Sequence, residues 1–174
     1  LSEEERQLFR TASVFVGGWT LDALEAVSDN PNAIEYLEGL VNKSLAVTEE
    51  RNGEMRYFLL ETIRQYAREK LFEAKQSSAA RDRHFVYFDE LSEKLWKAFR
   101  SPNALAWSSK ADNDLENLRA ALEWGMEHYA ETALHLAANL CLISGSLTSA
   151  SEALSLLKSA LDQVRSLAPV EGEA

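Results

Sequence analysis

Histidine, cysteine and proline are scarce, with three, one and three in 174 residues. A single cysteine excludes an internal disulfide. Cys141 lies in the apolar run 137–143, which fits a small buried hydrophobe and a reducing, cytoplasmic setting. No apolar stretch approaches the roughly 18 residues that cross a bilayer, and no charged-then-apolar leader precedes Leu1, so neither a membrane nor a secretory route is expected. Leu1 is not an initiator methionine, and the chain reads as an excerpt from a longer one. A basic excess is also missing. The net charge is -10, and residues 1–75 and 76–174 each hold nine Lys or Arg against fourteen Asp or Glu. Neither half is an obvious binder of phosphate backbones or anionic lipid.

Reactive constellations are equally sparse. No phosphate loop of the form G-x-x-x-x-G-K-S/T occurs, and Gly17-Gly18 lacks the lysine such a loop needs, so no catalysis is expected of the chain. His128, Glu131 and His135 fall within eight residues, but zinc needs three or four well-spaced ligands, and ordinary, partly exposed histidines are the plainer reading. Asp112-Asn113-Asp114 resembles the opening of a calcium loop without its central glycine or distant glutamate. It is expected to be an acidic helix N-terminus. No metal site is expected.

What is present is apolar periodicity over 46% hydrophobic residues, enough for a core. Ser2-Glu3-Glu4-Glu5 has capping-box form ahead of Leu8, Phe9 and Ala12, predicting a helix to about Ser13. Thr20 caps a second short helix carrying Leu21, Leu24 and Val27, and Asn30-Pro31 opens a third running to Asn42. Leu45–Thr48 and Arg56–Leu59 are β-prone and flank Asn52-Gly53, a hairpin signal. In Met55–Lys70 this alternation passes directly into a helical stripe of Leu60, Ile63, Ala67 and Leu71, so a strand feeds a helix that ends near Ala74. Three helices and a hairpin are the order of a winged helix.

Gln76-Ser77-Ser78 is a polar break, after which strand signals stop. Stripes at Phe85–Phe99, Leu115–Gly125, Leu134–Ser144 and Leu154–Val164 predict four helices of about 15 to 20 residues joined as antiparallel hairpins. Ser101-Pro102 ends the first of them, and the tail 169–174 is expected to fray. The fold class is mainly α: a winged-helix domain with a small β-hairpin over 1–75, then a tetratricopeptide-like helical array over 76–174.

The third helix carries Glu35 and Glu38 with no cation before Lys43, and the wing carries Glu49, Glu50 and Glu54 against Arg51 and Arg56. Carboxylates repel phosphates, so a protein-packing role is expected and direct nucleic-acid binding is not.

Four blocks in order, Val14–Leu21, Leu40–Leu45, Arg56–Ala67 and Asn117–Trp124, resemble the bacterial STAND-type signalling ATPases, which include regulators of the LuxR and SARP (AfsR-like) groups. The resemblance implies a winged helix and the start of a tetratricopeptide-like arm, placed after a nucleotide-binding core that holds ATP or ADP. No cofactor is implied within this segment. It further implies that the winged helix folds over the nucleotide at rest, while the arm receives a protein partner or inducer. Related eukaryotic and plant proteins carry a Met-His-Asp motif here, aligned with Leu59, Leu60 and Glu61, and an Arg aligned with Arg64. Glu61 and Arg64 are thus the nucleotide-proximal candidates. Leu60 departs from the pattern, since it cannot donate a hydrogen bond to phosphate. The expected function is a non-catalytic regulatory segment that couples a nucleotide switch to a sensing arm. A stand-alone helical scaffold, with Trp107 or Tyr129 as contacts, is the alternative, and a DNA-binding winged helix is the less favoured one.

Overall fold

The structure is a computed structural model that describes residues 1–100, 102, 104–143 and 150–167. The expectations placed on Ser101, Ser144 and the tail 169–174 lie outside the described residues. The chain forms two compact units, Leu1–Phe88 and Asp89–Ala174. The division falls inside a helix rather than at the polar break near Gln76.

In the first unit, α1 (Glu3–Ala12) starts on the complete capping box. The Glu5 amide donates to Ser2 Oγ at 3.1 Å and the Ser2 amide to Glu5 Oε2 at 2.8 Å. Thr20 accepts from the Ala23 amide to start α2 (Leu21–Ser28), and Asp29, in the left-handed region, ends it. The third helix, α3 (Ala33–Asn42), begins two residues later than expected. Asn30 Oδ1 accepts from the Asn32 amide at 2.9 Å, so Asn30 and Pro31 form a turn ahead of the helix.

Strands β1 (Val47–Arg51) and β2 (Glu54–Phe58) pair antiparallel, with Arg51 opposite Glu54. Between them Asn52 and Gly53 both have positive φ, at 53° and 78°, as a two-residue hairpin turn requires. On the other side of β2, Trp19 bridges Tyr57 through amide-to-carbonyl bonds of 3.0 and 2.9 Å, an isolated bridge that ties the segment before α2 to the hairpin. Two residues after β2, α4 (Glu61–Glu73) begins and packs on α1.

The unit closes around Leu8, Phe9, Phe15, Trp19, Leu24, Leu37, Leu40 and Leu71. Phe15 stacks on Trp19 at 5.3 Å and meets His84 and Phe88, from the first half of α5 (Ser77–Phe99), edge-on. Arg83 Nε donates to the Val27 carbonyl at 2.6 Å, satisfying a carbonyl in the last turn of α2.

The second unit contains the rest of α5, α6 (Ala104–His128), α7 (Ala130–Ile143) and α8 (Ala150–Leu167), with α7 packed on both α6 and α8. Leu91, Leu95, Leu118, Leu122, Leu136 and Leu140 are among its buried side chains, and Asn139 donates to Ser92 Oγ at 3.0 Å. At 23 and 25 residues, α5 and α6 exceed the expected length. Because α6 begins at Ala104, Asp112–Asp114 lie in its interior and not at a helix start, and Asp114 is buried. The early turns of α6 escaped the periodicity reading because Trp107-Ser108-Ser109-Lys110 lacks an apolar stripe.

Candidate functional site

The two residues singled out for nucleotide proximity are brought together. Glu61 opens α4 and receives both arms of the Arg64 guanidinium, with Nε to Oε2 and Nη2 to Oε1 each at 2.9 Å. Gln65 adds a third bond at 3.2 Å. One helical turn separates the pair, so the fork and the carboxylate face each other along one side of α4. The Arg64 hydrogen bonds, then that from Gln65, hold the Glu61 carboxyl below the usual glutamate range. Leu60, expected on the inward stripe, is instead the extended residue before the helix and is 56% exposed. The stripe is carried by Ala67 and Leu71, which are buried.

Around α3 and the wing the electrostatics are acidic. Glu35, Glu38, Glu49 and Glu50 are all exposed. The cations there are already engaged: Lys43 Nζ lies 2.5 Å from Glu5, and Arg51 lies 3.0 Å from Glu49 and over the Phe58 ring. Arg56, counted as a wing cation from sequence, is completely buried. Its Nη2 donates to the Gly18 carbonyl at 3.2 Å, and Nη1 lies 3.5 Å from Glu54.

The opposite charge balance appears around α4. One groove of about 470 Å³ between α1 and α4 is lined by Arg6, Arg10 and Lys70 with Phe9 and Tyr66. A second, of about 760 Å³ where α4 meets the start of α5, is lined by Arg68 and Arg81 beside Phe72. Glu73 borders both and Glu69 the second. Arg64, Arg68 and Lys70 fall within seven residues of one another in the sequence of α4. That Lys70 joins Arg6 and Arg10, and Arg68 joins Arg81, was not legible there, because it depends on α1 packing on α4 and on how the chain turns from α4 into α5.

Among the described residues no group of three His, Cys, Asp or Glu side chains could hold a metal ion. His128 stacks on Trp124 at 3.7 Å with Nδ1 3.0 Å from the Trp124 carbonyl. No helix among the described residues is long and apolar enough to cross a membrane.

Residues 1–72 match the family described as a winged helix-turn-helix domain. A Mycobacterium tuberculosis protein named "Putative HTH-type transcriptional regulator" is 36% identical over 172 residues, and a Mycobacterium bovis protein of the same description matches equally. The match covers 95% of this chain and 19% of those relatives, so the chain spans about a fifth of their length. An uncharacterized M. tuberculosis protein is 38% identical over 90 residues, covering 48% of this chain and 23% of that protein. No solved structure matches the chain significantly.

These findings correct one expectation. Direct nucleic-acid binding was set aside, whereas a winged helix-turn-helix domain and relatives named as HTH-type transcriptional regulators point toward DNA. The physical reason for the error is that charge was summed over each half of the chain and over α3 and the wing, neither of which says which cations share a surface. The domain's cations gather elsewhere, in the grooves flanking α4.

Proposed function

We propose that this chain is a non-catalytic regulatory segment of a transcriptional regulator, in which the winged helix-turn-helix unit contacts DNA and the tetratricopeptide-like helical unit receives a protein partner or inducer. The observation that carries this reading is the three-helix and hairpin order, completed by the Trp19–Tyr57 bridge, in a domain whose relatives bear the regulator name. Fluorescence anisotropy of the 174-residue chain with mixed-sequence duplex DNA tests it. Binding should be measurable at low salt and weaken linearly in log affinity as log salt rises. A flat titration at low salt rejects it.

A second reading is favoured by the Glu61–Arg64 fork at the exposed start of α4. Here the segment couples the arm to ATP or ADP held by an adjoining domain, as in STAND-type signalling ATPases. Such coupling needs two packings of the winged helix that nucleotide and partner favour differently. In the full-length protein, Glu61→Gln should change the rate of ADP release. An unchanged rate removes Glu61 from the switch.

A further inference from the structure

DNA affinity depends on phosphates neutralised, each needing a cation that reaches solvent. On the face a winged helix conventionally offers, α3 and the hairpin hold five carboxylates, at Glu35, Glu38, Glu49, Glu50 and Glu54, against Lys43, Arg51 and the buried Arg56. Lys43 and Arg51 pair with Glu5 and Glu49, as cations beside α4 also pair, so it is the excess of carboxylates that sets the sign of this face. That face repels a polyanion.

The grooves on either side of α4 reverse the balance, with five cations against Glu69 and Glu73 in their linings and Glu3 bonded to Arg6 and Arg10, in a chain of net charge -10. The pairs that engage some of these cations are exposed. Arg6 meets Glu3 at 2.9 Å and Lys70 meets Glu73 at 2.7 Å, in pairs whose side chains are 39 to 65% accessible. Exposed pairs of this kind are weak and exchange readily for phosphate. Phe72, 76% exposed, and Tyr66 stand among these cations.

We infer that the phosphate backbone of duplex DNA is met by the surface flanking α4 of the winged-helix unit, through Arg6, Arg68, Lys70 and Arg81, and not by α3 and the wing. This rests on the DNA reading above and adds the surface. Contacts of this kind position the duplex without reading its sequence, so binding through this face alone discriminates little among mixed sequences.

Anisotropy titrations on the whole chain test the inference with two paired variants. Arg68→Gln/Arg81→Gln should weaken binding roughly tenfold or more and flatten the log–log salt slope by about 1.8, at about 0.9 for each phosphate left without its cation. Lys43→Gln/Arg51→Gln should stay within about twofold of the parent, since those cations face no phosphate. Glu69→Gln/Glu73→Gln should tighten binding, a gain that a misfolded protein cannot produce. If the parent binds but the Arg68/Arg81 variant binds equally well, or only the Lys43/Arg51 variant weakens, the surface is wrong and the DNA reading survives. If the parent itself fails to bind, both fall.

Discussion

Arg56 has the side chain whose role changes most between sequence and structure. In β2 it alternates with Met55 and Tyr57 and reads as one more charge on an exposed wing. Instead, it enters the unit's interior and ties the hairpin to the Gly18 carbonyl. Gly18 itself has φ of +91°, and a Cβ there would collide with the Phe58 ring, so this approach of backbone to hairpin suits glycine alone. Arg56→Ala should lower stability by about 2 to 4 kcal/mol, combining a charge-assisted hydrogen bond with the buried aliphatic stem. Urea unfolding measures it, and a loss under about 0.5 kcal/mol would mean that the buried guanidinium is dispensable. Glu61 offers a second test at this scale. Its folded pKa is depressed, so the stability contributed by the Arg64 fork is present above the unfolded pKa and lost as pH falls through the folded one. An NMR titration should place Glu61 below the usual glutamate range, and Arg64→Gln should move it upward. An unmoved midpoint would assign the depression to another cause.

At the scale of elements, local signals and packing divide the work. The capping box of α1, the Thr20 cap of α2 and the Asn52-Gly53 turn were all legible, because each depends on residues within four of one another. The direct passage from strand to helix at α4 was legible for the same reason. Boundaries set by competing local bonds were harder to read. Asn30 forms a turn instead of a cap, and α6 starts in a stretch with no apolar stripe. The helix α4 shows how one element serves several ends: Ala67 and Leu71 are buried, Glu61 and Arg64 fork at its start, and its remaining cations line grooves on two sides. Arg83 of α5, bonded to the last turn of α2, fastens the first half of α5 to the winged helix.

For the whole molecule, composition alone determined that the chain has a real core, that no disulfide forms within it and that helices dominate after the hairpin. These follow from residue counts and short-range periodicity, which need no knowledge of what packs against what. Tertiary structure alone decided where the charges go. It buried Arg56, and it brought together cations from separate parts of the chain, Arg6 and Arg10 with Lys70 in one groove and Arg68 with Arg81 in another. A sum of charges over a segment has no direction, whereas recognition of a polyanion depends on which charges share a surface. That is why short-range signals were enough to read a winged helix, whereas summed charge was not enough to set nucleic acid aside.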